Sequence, residues 1–227
     1  MTRRIFDQEL DRLQSDVLAL GSMVEEALVQ SVETLKQRDF TASRRLIAGD
    51  RVINERRYAI EQDTMTLIAT QQPMAGDMRL LAAILEIVTE LERMGDYAKG
   101  IARINLMIGE QPLIKPLIDL PVMAHKAREM LHAALVAFIE RDVQAARSIP
   151  KGDDEIDALY NQVYRELICF ILEDPQTIEQ ANHLMWAAHN LERTADRVIN
   201  LCERVVYAVT GELIELGTDD SGIESLQ

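Results

Sequence analysis

Residues 91–96 read Leu-Glu-Arg-Met-Gly-Asp and residues 191–196 read Leu-Glu-Arg-Thr-Ala-Asp, so one acidic motif occurs twice, 100 positions apart. Two further matches precede it in the same order, at a spacing of 103 positions. They are an Arg-Asp pair at residues 38–39 and 141–142, and a Gly-Asp segment at residues 49–54 and 152–157. Chance similarity between helical stretches would rarely produce three matches in one order. We therefore predict two copies of one structural unit.

Each copy is predicted to fold as three long helices. From Phe6 to Leu35 apolar residues recur every three or four positions, which is typical of a helix with one buried face. No segment sustains the period-two alternation of a strand. Turns are indicated by Pro73, by prolines at 112, 116 and 121, and by Pro175. The helices are predicted at about residues 5–38, 42–70 and 76–108, and at about residues 121–147, 153–173 and 177–211.

This pattern predicts an all-α protein of two tandem antiparallel three-helix bundles, related by a pseudo-twofold axis. A helix of about 32 residues is roughly 48 Å long, so an elongated molecule is expected. The predicted division is residues 1–110 for the first unit, 111–120 for a linker, 121–215 for the second unit, and 216–227 for an acidic, flexible tail.

Acidic pairs four residues apart recur on the second and third predicted helices of each copy, which places each pair on one helical face. In an antiparallel hairpin, residues equidistant from the turn lie level with each other. Residues 50 and 96, and also 54 and 92, are centred on Pro73, whereas the corresponding residues of the second copy are centred between Asp174 and Pro175. Each hairpin should therefore bring its two motifs level. Site one comprises Asp50, Asn54, Glu92 and Asp96, and site two comprises Asp153, Asp157, Glu192 and Asp196.

Both sites have the composition of a cation-binding site. Gly95, Ala195 and Ile199 lie within a turn of the carboxylates, where a solvated helix face would carry Lys and Glu. Partly buried carboxylates that converge repel one another, and a bound cation removes that repulsion. The predicted ligands favour divalent or trivalent metal ions, with Mg²⁺, Mn²⁺, Ca²⁺, iron and zinc as candidates. The alternative is an ion-pair network through Arg93 and Arg193.

The composition limits the partners and the compartment. A formal net charge of −14 argues against nucleic acid or an anionic membrane as a direct partner. Asp7 follows the N-terminal basic pair closely, so no signal sequence is predicted. No run approaches the roughly 20 apolar residues of a membrane span. Cys169 and Cys202 lack metal-ligand spacing and are predicted to be reduced, buried thiols. We therefore expect a cytoplasmic protein.

Residues 72–79 read Gln-Pro-Met-Ala-Gly-Asp-Met-Arg at the first predicted turn. Together with the repeat and its acidic motifs, this segment resembles the PhoU family over about residues 3–215. The resemblance implies a non-enzymatic negative regulator of the bacterial phosphate-starvation response, with metal clusters on the bundle surface. It also implies coupling of the ATPase subunit of the phosphate ABC transporter to a sensor histidine kinase, membrane association through these partners, and a homodimer. Asn54 departs from a fully acidic set.

Two other functions stay open at the level of sequence. A carboxylate-bridged di-iron oxidase on a ferritin-like bundle needs a Glu-x-x-His motif on each of two helices. Glu129 and His132 fit that motif, but the counterpart at residues 26–29 has no histidine. A metal-free helical scaffold is the other alternative. The sequence shows no nucleophile–base pair, glycine-rich phosphate loop or kinase motif, so no catalysis is expected.

Overall fold

The computed structural model describes residues 2–217, and no strand occurs in this range, which confirms the all-α prediction. The helices are α1 Thr2–Gln37, α2 Phe40–Gln71, α3 Ala75–Ile108, α4 Asp119–Glu140, α5 Val143–Ser148, α6 Asp153–Glu173 and α7 Ile178–Thr210. Short 3₁₀ turns precede α6 and α7. No helix in the described range has the length and apolarity needed to cross a membrane. The predicted tail falls almost wholly on residues 218–227, which lie outside the described residues.

Each unit is an antiparallel three-helix bundle. In the first unit α1, α2 and α3 pack on one another, and in the second unit α4, α6 and α7 do so. The most extensive contact in the described chain joins α3 to α7, and α1 also packs on α4. Fully buried leucines such as Leu28, Leu91 and Leu191 contribute roughly 1.5–3 kcal/mol each. The two predicted bundles therefore share one continuous core, in which the third helix of each unit is central.

The same two residue types, an arginine followed by an aspartate, form the corner between the first helix of each unit and the helix that follows it. Arg38 follows α1 with a left-handed φ of 60°, and Arg141 follows α4 with a φ of 55°. This conformation ends a helix because the chain can no longer continue its hydrogen-bond pattern. Asp39 and Asp142 then accept hydrogen bonds from N–H groups in the first turn of the next helix, at 2.8 Å and 2.9 Å. The Arg-Asp match in the sequence thus marks equivalent corners.

The prediction of one helix over residues 121–147 is wrong at its end. The helix α4 stops at Glu140, and α5 follows the corner as part of the middle layer of the second unit. Pro150 produces a second break, because it has no N–H and its ring clashes with the preceding helical turn. The equivalent residue of the first unit is Ile47, and α2 runs through it without interruption. The middle helix of the second unit is therefore split into α5 and α6.

One of the two cysteines is exposed, contrary to prediction. Cys202 is buried in α7, and burial raises the pKa of its thiol to about 12. Cys169 lies on α6 away from the buried positions Val163 and Leu167, so the helical period turns its side chain to solvent. Both thiols are free.

A buried polar cluster joins the three helices of the first unit. Asn105 of α3 donates through Nδ2 to the Thr34 carbonyl oxygen and to Ser43 Oγ, each at 2.9 Å. Its Oδ1 accepts a hydrogen bond from Arg38 at 2.7 Å, and Arg38 also donates to the Gly109 carbonyl oxygen. Buried polar groups are tolerated when each has a partner, so this cluster depends on every member.

Replacing Asn105 by alanine should lower the free energy of unfolding by about 1–3 kcal/mol, because the Thr34 carbonyl and the Ser43 hydroxyl lose a buried partner. Thr70→Ala is the control, since the Thr70 hydroxyl is exposed and bonds only to its own helix. That control should change stability by less than about 0.5 kcal/mol. Urea denaturation measures both, and equal stabilities of all three proteins would contradict this role of the cluster.

Candidate metal centres

In the first unit the two acidic motifs face each other across α2 and α3. The Lys99 ammonium lies between them, with its Nζ 2.6 Å from Asp50 Oδ2 and 3.1 Å from Asp96 Oδ1. Burial raises the pKa of Glu92, and the charges of Asp96 and Asp50 raise it further. Residues from both helices therefore act on one another, and the level placement predicted from the hairpin is confirmed.

Gly95 lets α2 and α3 approach closely at site one. A Cβ atom added to Gly95 would lie 3.2 Å from Ile53 Cδ1 and 3.9 Å from Asp50 Oδ1. The first distance is shorter than an ordinary van der Waals contact, so the Ile53 side chain would have to shift by a few tenths of an ångström to admit a larger residue. Gly95 thus allows Ile53 of α2 to pack directly against α3 beside the carboxylates.

Asp50 is the most enclosed carboxylate of site one, with 5% of the residue exposed. Its Oδ2 accepts hydrogen bonds from Lys99 and from the Asn54 side-chain amide, the latter at 3.2 Å. Asn54 also donates to the Asp50 carbonyl oxygen. The Oδ1 atom of Asp50 is buried and has no hydrogen-bond partner. Asn54 therefore serves as a donor to Asp50 in this arrangement.

The ion-pair network proposed as the alternative does not form through the two arginines of the repeated motif. Arg93 pairs with Glu90 at 2.8 Å, which lies outside site one. Arg193 places its guanidinium 4.8 Å from the centroid of the Tyr97 ring, in a cation–π contact. Their charges act on the site carboxylates only over longer distances.

Two cations that the sequence analysis did not single out contact site one instead. Lys99 is the nearer, and the Arg57 guanidinium lies 4.0 Å from Glu92 Oε1. A signal for Lys99 was present, because it follows Asp96 by three residues, the spacing of a helical ion pair. The repeat also pairs Lys99 with Ile199 at the spacing of 100. A position-by-position comparison of the copies would have shown this difference in charge.

Site two brings together four carboxylates, and the basic group nearest to them is a histidine, His189, beside Glu192. Burial, with the charges of Asp157, Asp196 and Glu192 adding to it, raises the pKa of Asp153 to about 7. Burial and the charges of Asp196 and Asp157 raise the pKa of Glu192 to about 7 as well, and the pKa of Asp157 is also raised. Within residues 2–217, no Lys or Arg lies within ion-pair distance of these four carboxylates. The predicted repulsion is therefore present, and at Glu192 the more distant charge of Arg193 opposes it.

Site two offers the type of donor atom that a hard cation uses, although the side chains are not arranged around one point. Asp153 Oδ1 and Glu192 Oε2 are buried and have no hydrogen-bond partner. His189 Nδ1 lies 3.1 Å from this glutamate oxygen without the alignment of a hydrogen bond. Unsatisfied carboxylate oxygens are the ligands that such ions prefer. The side chains do not converge on a single point, since no three His, Cys, Asp or Glu residues of the described chain are grouped closely enough to hold a metal ion.

Fold and sites together define a class of duplicated all-α proteins, in which each three-helix unit carries facing acidic motifs. The PhoU domain family matches residues 17–104 and 120–205, and the chain belongs to the PhoU family. It is 34% identical to the phosphate-specific transport system accessory protein PhoU homolog of Clostridium acetobutylicum, over 95% of this chain and 99% of that protein. It is 33% identical to the phosphate-specific transport system accessory protein PhoU of Escherichia coli, over 91% of this chain and 86% of that protein.

A solved structure shows the same fold. The crystal structure of the phosphate transport system regulatory protein PhoU from Streptococcus pneumoniae matches with a TM-score of 0.86. The two sequences are 34% identical, and the match covers 93% of this chain and 100% of the other. The resemblance noted in the sequence is therefore confirmed at the level of family and fold.

Without metal, the protein should lose stability as the pH rises from about 4 towards 8. Unfolded Asp and Glu titrate near pH 4, whereas Asp153 and Glu192 have pKa values of about 7 in the folded chain. Between these values the folded state binds more protons than the unfolded state. The resulting stabilisation is complete below about pH 4 and is lost as the pH rises through about 7.

Thermal unfolding in EDTA across this pH range measures the effect. The matched variant Asp153→Asn/Glu192→Gln removes both titrating groups, so its stability should depend less on pH between about 5 and 8. A variant that keeps the full pH dependence of the wild type would show that other groups cause it.

Proposed function

We propose that this chain is a non-enzymatic negative regulator of the phosphate-starvation response. The observation that carries the proposal is that two PhoU domains account for residues 17–104 and 120–205. Relatives that match over nearly the whole chain are named accessory proteins of the phosphate-specific transport system. In this function the chain couples the ATPase subunit of the phosphate ABC transporter to a sensor histidine kinase.

The charge of the chain supports partners of this kind. A formal net charge of −14 suits docking on basic protein surfaces and disfavours nucleic acid and anionic lipid. The proposal places the protein in the cytoplasm as a homodimer that reaches the membrane through its protein partners.

Metal binding at the acidic sites is the second part of the proposal. Site two supports it with four carboxylates, two unsatisfied buried oxygens and pKa values raised to about 7 for Asp153 and Glu192. A bound divalent or trivalent cation would cancel the repulsion between α6 and α7 at this level. Site one offers Asp50, Glu92 and Asp96 with the neutral Asn54, and so provides less negative charge.

The two alternatives, a di-iron oxidase and a metal-free scaffold, can each be compared with the proposed regulator. For a di-iron oxidase, His132 should face carboxylates of a bundle centre. It is instead exposed, and its Nδ1 lies 3.2 Å from Glu25 Oε1 on α1. A metal-free scaffold differs from the proposed regulator in one measurable property, which is the binding of cations at site two.

Deleting the gene for this protein should leave phosphate-starvation genes expressed in phosphate-rich medium, because the negative signal is lost. Reporter expression in deletion and complemented strains measures this effect. Affinity purification of the tagged protein should recover the transporter ATPase or the sensor kinase. Normal repression in the deletion strain would contradict the proposed regulatory function.

In a metal titration, site two should fill before site one, because its fourth position is Asp157 rather than Asn54. The affinity of hard cations for oxygen sites rises with ligand charge. Asp157→Asn should therefore weaken site two, and Asn54→Asp should strengthen site one. Calorimetry on both variants measures this, and equal wild-type affinities that respond to neither exchange would refute the charge argument.

A further inference from the structure

The two sites differ in charge at three aligned positions. Site one has Asn54, Arg57 and Lys99 where site two has Asp157, Tyr160 and Ile199. Three carboxylates, the Lys99 ammonium and the Arg57 guanidinium give site one a formal charge of −1, whereas the four carboxylates of site two carry −4. The two copies of the unit therefore differ in how much of the carboxylate repulsion their own side chains offset.

Lys99 is placed as a cation that bridges two helices. Its Nζ lies 2.6 Å from Asp50 Oδ2 on α2 and 3.1 Å from Asp96 Oδ1 on α3. About a fifth of the Lys99 side chain is exposed and Asp50 is almost fully buried, so solvent screens the contact with Asp50 only weakly, whereas Asp96 is half exposed and its contact is screened more. A metal ion that used Asp50 and Asp96 would have to compete with the ammonium for the same oxygens.

The equivalent residue of site two, Ile199, supplies no charge. It is half-buried, and Gly217 packs against it so closely that a Cβ atom added there would lie 3.2 Å from Ile199 Cδ1. Two buried oxygens, on Asp153 and Glu192, stay without a hydrogen-bond partner in this site. Neutralising site two therefore requires a cation or protons from solution.

We propose that Lys99 is a tethered cation that does in site one what a bound metal ion does in site two, so that only the second unit responds to metal ions. This proposal rests on the proposed function in one respect, which is that site two binds metal. A tethered ammonium acts at a high effective concentration and is always present. The repulsion between the motifs of α2 and α3 is thus offset whatever the supply of cations, whereas that between the motifs of α6 and α7 depends on it.

The test is a calorimetric titration with Mn²⁺ of the full-length protein. The wild type should bind one ion per chain tightly. Lys99→Met keeps most of the apolar stem but removes the charge, so it should raise the affinity of site one by on the order of tenfold or more and reveal a second ion. Lys99→Arg keeps the charge and should bind one ion, as the wild type does.

Two further variants assign the ions to their sites. Asn54→Asp/Arg57→Tyr/Lys99→Ile gives site one the residues of site two at all three positions, so it should bind two ions with similar affinity. Asp157→Asn/Glu192→Gln weakens site two and should leave little binding unless Lys99 is also replaced. Two equal ions in the wild type, or no gain in affinity when Lys99 is replaced, would overturn the proposal.

Measurements in EDTA separate this inference from the proposed function. Without metal at pH 7.5, Lys99→Met should unfold at a lower temperature than Lys99→Arg, because site one has lost the cation that bridges Asp50 and Asp96. Ile199→Lys should unfold at a higher temperature than its uncharged control Ile199→Met. If the protein binds no Mn²⁺, the metal part of the proposed function fails. The EDTA results alone then decide whether Lys99 acts as a tethered cation. A Lys99→Met protein as stable as Lys99→Arg in EDTA would overturn it.

Discussion

Repulsion between carboxylates that a helical hairpin holds level is the constraint on which the functional part of this protein depends. Each unit places acidic residues four positions apart on two antiparallel helices, equidistant from the turn. Carboxylates held level in this way repel one another, and neutralising their charge removes the repulsion. In the first unit Lys99 joins Asp50 to Asp96, and in the second unit Asp153 and Glu192 have pKa values of about 7. The two units are alike in backbone and differ in how they meet the same electrostatic problem.

The core is what makes that repulsion tolerable. Apolar faces of α3 and α7 meet at the centre of the molecule, and each also packs against the other helices of its own unit. A polar seam joins the same two helices, where Glu90 of α3 accepts from Asn200 at 3.3 Å and pairs with Arg197 at 3.4 Å. The acidic faces lie on the other contacts of α3 and α7, towards α2 and α6. A change at either site would thus act on helices that are anchored in a shared core.

Most of the fold could be predicted because local sequence patterns specify where the helices and turns lie. The spacing of apolar residues in α1, the turn at Pro73 and the repeat each reflect short-range chemistry that one chain segment contains by itself. The prediction failed where local chemistry competes with helix periodicity. Arg141 ends α4 in a left-handed conformation, although arginine seldom adopts it, and apolar residues continue on both sides of this corner, so their pattern did not reveal it. The break at Pro150, by contrast, falls between the helices predicted at residues 121–147 and 153–173.

The sequence by itself determined that the chain is a duplicated helical protein and that its acidic motifs lie level. Apolar periodicity, turn residues and the number of residues from a turn can all be read along the chain without knowing how it packs. It also determined the eight candidate residues of the two sites. Only the tertiary structure decided how the helices are rotated about their axes, and hence that Asp50 and Asp96 share Lys99 while Arg93 and Arg193 point elsewhere. That rotation is set by packing against neighbours distant in sequence, such as Ile53 against Gly95. Electrostatics at short range depends on distances that no spacing along the chain can supply.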